Sequence, residues 1–150
     1  MRLSHLVLLA LAWLIAGSVP AQELVVFAYP GMPKTDAATL QRLYTGRIVS
    51  IRQQSAQPVA LVAGHPLRRE FLARLFGQDE GEYIAYWLVR RYVGKGAPPQ
   101  EFNDVDELIG FVTRTPGAVG YAPADRLPAG SNIIFRLQPD GRRDSPDTPK

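Results

Sequence analysis

Pro58-Val59-Ala60-Leu61-Val62-Ala63-Gly64-His65-Pro66-Leu67-Arg68-Arg69-Glu70-Phe71 is the stretch whose reading decides the fold. Six uncharged residues, 58–63, form an apolar run of the length expected for a buried strand. Gly64-His65 then leads straight into Pro66, a residue favoured at the first position of a helix because its missing N–H has no partner there anyway. The helix is predicted to continue to Phe76, with Leu67, Phe71, Leu72, Leu75 and Phe76 on its apolar side and Gly77 closing it. A strand that feeds a helix with no intervening loop is the repeating unit of α/β folds.

The same alternation extends outward in both directions. On the N-terminal side, residues 23–29 read as a buried strand ending in the turn Pro30-Gly31-Met32-Pro33. Asp36 then caps a short helix carrying Leu40, Leu43 and Tyr44 at i, i+3, i+4, with Gly46 as its stop. On the C-terminal side a third helix starts at Asp79 or Glu80, with Ile84, Trp87, Leu88 and Tyr92 expected as its core-facing stripe, and residues 94–99 terminate it. Asn103 or Asp104 caps a fourth helix bearing Val105, Leu108, Ile109 and Val112. Strands are expected at 118–122 and 133–137. The pattern predicts an α/β fold, a three-layer sandwich forming a single lobe, with no internal repeat and no linker between two cores.

At the N-terminus, Arg2 precedes an uncharged, Leu-rich run of eleven residues from Leu6 to Ala16, which is too short to span a bilayer before Gly17, Ser18 and Pro20 break it. Val19-Pro20-Ala21 supplies small residues at a cleavage boundary. The expected organisation is a cleaved signal peptide at 1–21, one domain at 22–137 and a polar, Pro-rich disordered tail at 138–150, with the product in the periplasm. The domain is large enough to bury a core unaided. The chain has no cysteine, which excludes disulfides, thiolate metal sites and a lipid-modified N-terminal cysteine.

Setting Arg2 aside leaves sixteen basic against fourteen acidic residues, a net charge of +2, and the basic residues occur singly or in pairs such as Arg90-Arg91. That distribution argues against nucleic-acid binding. His65 is the only histidine beyond the leader, and Ser55, Ser131 and Ser145 lack a G-x-S-x-G frame. Asp79, Glu80, Glu82, Asp104, Asp106 and Glu107 cluster at helix starts and are read as caps and dipole partners. No catalytic residues, metal site or cofactor are expected.

One constellation invites a ligand. A helix N-terminus presents free backbone N–H groups and a partial positive charge, so the junction Ala63-Gly64-His65-Pro66 is a natural cradle for an oxyanion, with Arg68 in the first helical turn adding to the field. The competing reading is a plain strand-to-helix turn in which Arg68 is a solvated surface charge.

The segments Leu40–Ile48, Gly64–Phe71 and Pro116–Tyr121, in that order and spacing, resemble three motifs of the type II periplasmic solute-binding proteins of the phosphate kind. Leu40-Gln41-Arg42-Leu43-Tyr44-Thr45-Gly46-Arg47-Ile48 is similar to that family's L-x-x-I-F-x-G-K-I helix end. Gly64-His65-Pro66-Leu67-Arg68-Arg69-Glu70-Phe71 lies where the family has G-S-G-T-R-x-x-F, and Pro116-Gly117-Ala118-Val119-Gly120-Tyr121 follows its P-G-A-I-G-Y strand. The resemblance implies non-catalytic binding, a transporter context and an oxyanion, phosphate included, at Gly64, His65, Leu67 and Arg68.

Two departures limit what it implies. The family closes two lobes on its ligand, and these motifs belong to one. The hydroxyl donors are replaced by His65 and Leu67, and Pro66 removes a backbone N–H. Each lost hydrogen bond to a charged group costs about 1.5–3 kcal/mol, so any oxyanion is expected to bind weakly. The alternative is an interaction module that has lost its small ligand and meets a membrane transporter, a sensor or an outer-membrane protein. The leader makes one immediate prediction: the intact mass of the protein recovered from a periplasmic extract corresponds to a chain beginning at Gln22, and full-length chain in the membrane would refute it.

Overall fold

The uncharged run Leu24–Ala28 forms β1, buried at every position, in a computed structural model that describes residues 22–139. The expected leader, and the expected tail from residue 140 onward, lie outside the described residues. The elements that follow are α1 (Ala37–Tyr44), β2 (Ser50–Ile51), β3 (Gln54–Ser55), β4 (Gln57–Leu61), α2 (Pro66–Phe76) and α3 (Glu80–Tyr92). After these come β5 (Gln100–Phe102), α4 (Val105–Arg114), β6 (Ala118–Pro123), a 3₁₀ turn at Ala124–Arg126 and β7 (Asn132–Leu137). The four expected helices and four expected strands are present. The small β2–β3 hairpin and β5 were not foreseen.

Local chemistry sets the helix ends. Asp36, Asp79 and Asp104 each accept hydrogen bonds from backbone N–H groups of the first turn that follows, at 2.6–3.3 Å. Gly77 ends α2 with φ of 65°, a conformation open to glycine at little cost.

Five strands form a mixed sheet in the order β5-β4-β6-β1-β7, with β4 parallel to both β5 and β6, and β1 antiparallel to both β6 and β7. Alternation along β6 shows how helices cover both faces. A Cβ on Gly120 would lie 2.7 Å from Leu108 and 2.9 Å from Val112, so α4 is seated on that face. The next residue, Tyr121, points the other way and stacks on Phe71 of α2 at 3.9 Å, with Tyr44 of α1 edge-on to Phe71 at 4.8 Å. The result is the three-layer α/β arrangement.

Two of these tyrosines also complete backbone pairing. β4 and β6 are in register at Gln57 and Pro58. Farther along, the Tyr44 hydroxyl lies within hydrogen-bond distance of the carbonyls of Val59 (3.0 Å) and Val119 (3.3 Å), and the Leu61 N–H donates to the Tyr121 hydroxyl at 2.9 Å. Phenol groups thereby stand in for ladder partners that the strands do not give one another.

The face of α3 departs from the expected stripe. Tyr83 and Trp87 are the buried residues, whereas Ile84, Leu88 and Tyr92 are 44%, 68% and 92% exposed. The cause is the pair of large rings. Tyr83 packs 5.8 Å from Phe76 and donates to the Tyr44 carbonyl at 2.7 Å. Trp87 lies so close to Gly46 that a Cβ there would sit 2.7 Å from its ring. Trp87→Ala is accordingly expected to lower unfolding stability by about 3–5 kcal/mol, while Tyr92→Ala changes it by about 0.5 kcal/mol or less, read from urea midpoints.

Candidate functional site

The expected oxyanion cradle sits where β4 gives way to α2, and each of its residues is already engaged. The Gly64 N–H donates to the Glu80 carboxylate, at 2.8 Å from Oε1 and 3.1 Å from Oε2. The His65 N–H closes a turn onto the Val62 carbonyl at 3.2 Å. His65 is also the N-cap of α2, its Nδ1 accepting from the Leu67 N–H at 3.1 Å. Pro66 has no N–H to offer. The Leu67 side chain is half-buried against the core and contributes no polar atom.

Arg68 is neither a free guanidinium waiting for an anion nor a solvated surface charge. It is 5% exposed, the one buried charged residue among those described. Its Nη1 donates to the Leu61 carbonyl at 2.9 Å and to Glu101 Oε1 at 2.6 Å. Its Nε lies 3.0 Å from Glu80 Oε1, where the attraction is Coulombic because the N–H does not point along that line. The guanidinium also rests over the Tyr83 ring, 5.6 Å from its centroid. Arg69, the next residue, is exposed and donates to the Gly64 carbonyl at 2.6 Å.

The chain thus brings together Gly64, His65, Leu67 and Arg68 as the sequence suggested, and adds two residues that it did not. Glu80 reads in sequence as a first-turn acid of α3, yet its carboxylate lies across the loop against Gly64 and Arg68. Glu101 stands in β5, a strand the sequence hardly announces. Burial dominates the ionisation of the surrounding phenols. It pushes Tyr83 up to about 12, against the opposing pull of Trp87 and the Arg68 charge, and it raises Tyr44 and Tyr121 as well.

Of the remaining concavities, one of about 220 Å³ carries Arg42 and Arg47 beside Gln41, Thr45 and Gln78. A cleft of about 250 Å³ is lined by Leu43, Ile48, Ala56, Trp87, Pro98 and Gln100, among others, and carries no ionisable side chain. Among the described residues no group of His, Asp and Glu is arranged to hold a metal ion, and no helix is long and apolar enough to cross a membrane.

The solved structure of an ABC-type phosphate transport receptor from Vibrio cholerae superposes on this chain with a TM-score of 0.58 at 16% identity, over 75% of this chain and 45% of the receptor. The fold is that of a periplasmic-binding-protein lobe. The chain spans less than half of the receptor's length. No protein-family profile matches the sequence, and no curated protein matches it either.

The two ion pairs around Arg68 make a prediction that separates a structural from a ligand-facing arginine. Arg68→Ala empties a buried position and leaves the half-buried Glu80 carboxylate without its cation, and is expected to cost about 3–5 kcal/mol. Arg69→Ala removes one exposed hydrogen bond and costs about 1 kcal/mol or less. Urea denaturation of the two variants checks the difference.

Proposed function

We propose that this chain is a non-catalytic, periplasmic binding-protein-like domain that works through its protein surface, its oxyanion cradle being filled by its own Glu80 carboxylate. The observation that carries the reading is the bridge from Gly64 N–H through Glu80 to Arg68. A phosphate entering the junction would have to displace that carboxylate and would then face Glu80 and Glu101 together. Each like charge at about 6 Å and an effective dielectric of 20 opposes it by ~3 kcal/mol. The fold likeness to a phosphate transport receptor supports a binding module in a transport or envelope context. A membrane transporter, a sensor or an outer-membrane protein is a partner of the kind such a module would meet. The short leader supports export.

Calorimetric titration with phosphate and with sulfate tests the reading. The wild-type protein should give no binding heat below about millimolar anion. Glu80→Ala frees the Gly64 N–H while Glu101 still pairs Arg68, so this variant should take up phosphate in the millimolar range, with thermal unfolding followed to verify its fold. Micromolar phosphate binding by the wild type would overturn the proposal, and would restore the cradle of Gly64, His65, Leu67 and Arg68 as a ligand site.

A further inference from the structure

The outward half of α3 is apolar where a surface helix should be polar. Ile84, Leu88, Val89, Tyr92 and Val93 are all 44–92% exposed, and no residue from Tyr83 to Val89 carries a charge. Tyr83 and Trp87 make the inward side apolar too. A helix that is hydrophobic on all sides is ordinarily a buried one, and clustered exposed apolar side chains of this size mark an interaction surface.

The charges at the two ends of this face say what covers it. The first turn is acidic, with Asp79 and Glu82 exposed, and the last turn and its exit are basic, with Arg91 and Lys95 exposed. Among the described residues Glu82, Arg91 and Lys95 make no ion pair. Arg90, by contrast, is turned toward its own domain, over the Tyr86 and Trp87 rings. A helix that is negative at one end, positive at the other and uncharged between is complementary to itself when a second copy is laid antiparallel. That orientation also opposes the two helix dipoles, whereas a parallel pairing would set like charges side by side.

Resting on the reading that the domain acts through its surface, we infer that α3 is a homotypic docking face, on which a second copy of this chain packs antiparallel about a two-fold axis beside Leu88. In that register Ile84 of one copy meets Tyr92 of the other. One helix pair with its flanks buries an area at the low end of specific interfaces, so the dimer is weak, with a Kd on the order of 100 μM.

Sedimentation velocity across a concentration series, together with cysteine cross-linking, tests this. The wild-type chain has no cysteine to interfere. The wild type should pass from monomer to dimer over the micromolar to millimolar range, more weakly in high salt. Leu88→Glu, which sets two like charges at the axis, should raise the dissociation constant at least tenfold without changing the melting temperature of the monomer. Under oxidation Leu88→Cys should link to itself. Ile84→Cys and Tyr92→Cys should link to each other when mixed but poorly to themselves, because like positions lie about 12 Å apart along the axis. Val49→Cys, at a position 76% exposed and off the helix, serves as the background. A wild type that stays monomeric at millimolar concentration, or Leu88→Cys linking no faster than Val49→Cys, would overturn the inference. Self-linking of Ile84→Cys would overturn the antiparallel arrangement. None of these outcomes depends on the anion titration, so the two proposals fail separately.

Discussion

A guanidinium buried to 5% exposure is costly unless every partner around it is in place, and Arg68 draws its partners from three other elements: the end of β4, the first turn of α3 and β5. One charge therefore ties together the first turn of α3, the short strand β5, α2 and the end of β4. The apolar core around Phe71, Tyr121 and Tyr44 supplies the bulk of the burial. It is non-directional, however, and would tolerate small slips that the Arg68 network does not.

The physics that would hold a foreign anion at the β4–α2 junction is met from within. A glycine N–H at a helix entrance and a neighbouring guanidinium attract whichever anion is present at the higher effective concentration. A carboxylate tethered sixteen residues away is always present. The junction keeps the form of an anion site while its donors are spent on holding two helices together. The hydroxyl-poor helix entrance formed by His65, Pro66 and Leu67 agrees with that use, since Glu80 needs fewer donors than a phosphate.

Much of the fold was legible because local and global signals coincide in it. The unbroken run at 24–28, the Gly64-His65-Pro66 entrance to α2, and the capping aspartates each specify their element without outside help. The β2–β3 hairpin was hidden because its turn places Arg52 and Gln53, not Asn-Gly, at positive φ of 45° and 70°. β5 was hidden because three polar-to-aromatic residues after a proline pair carry no periodicity. For α3 the existence, the length and the burial of Trp87 were legible, and the rest of the inward face was not. With apolar residues on every side, spacing fits Ile84, Leu88 and Tyr92 as well as Tyr83 and Trp87, and ring packing made the choice. In the site, Gly64 and His65 were found by their place at a helix entrance. Glu80 and Glu101 reach it through tertiary packing that leaves no mark in local sequence.

The placement of β1 bears on how the chain can acquire this structure. Its two neighbours are β6 and β7, so Leu24 is matched with Pro123 on one side and Leu137 on the other. Roughly a hundred residues must be made before the earliest strand finds either companion, and contacts of such long sequence separation slow folding. A ribosome-bound chain therefore holds Leu24–Ala28 as an unpaired, wholly apolar segment, which a chaperone can grip. Truncation within β7 would leave that segment as a bare sheet edge, open to aggregation.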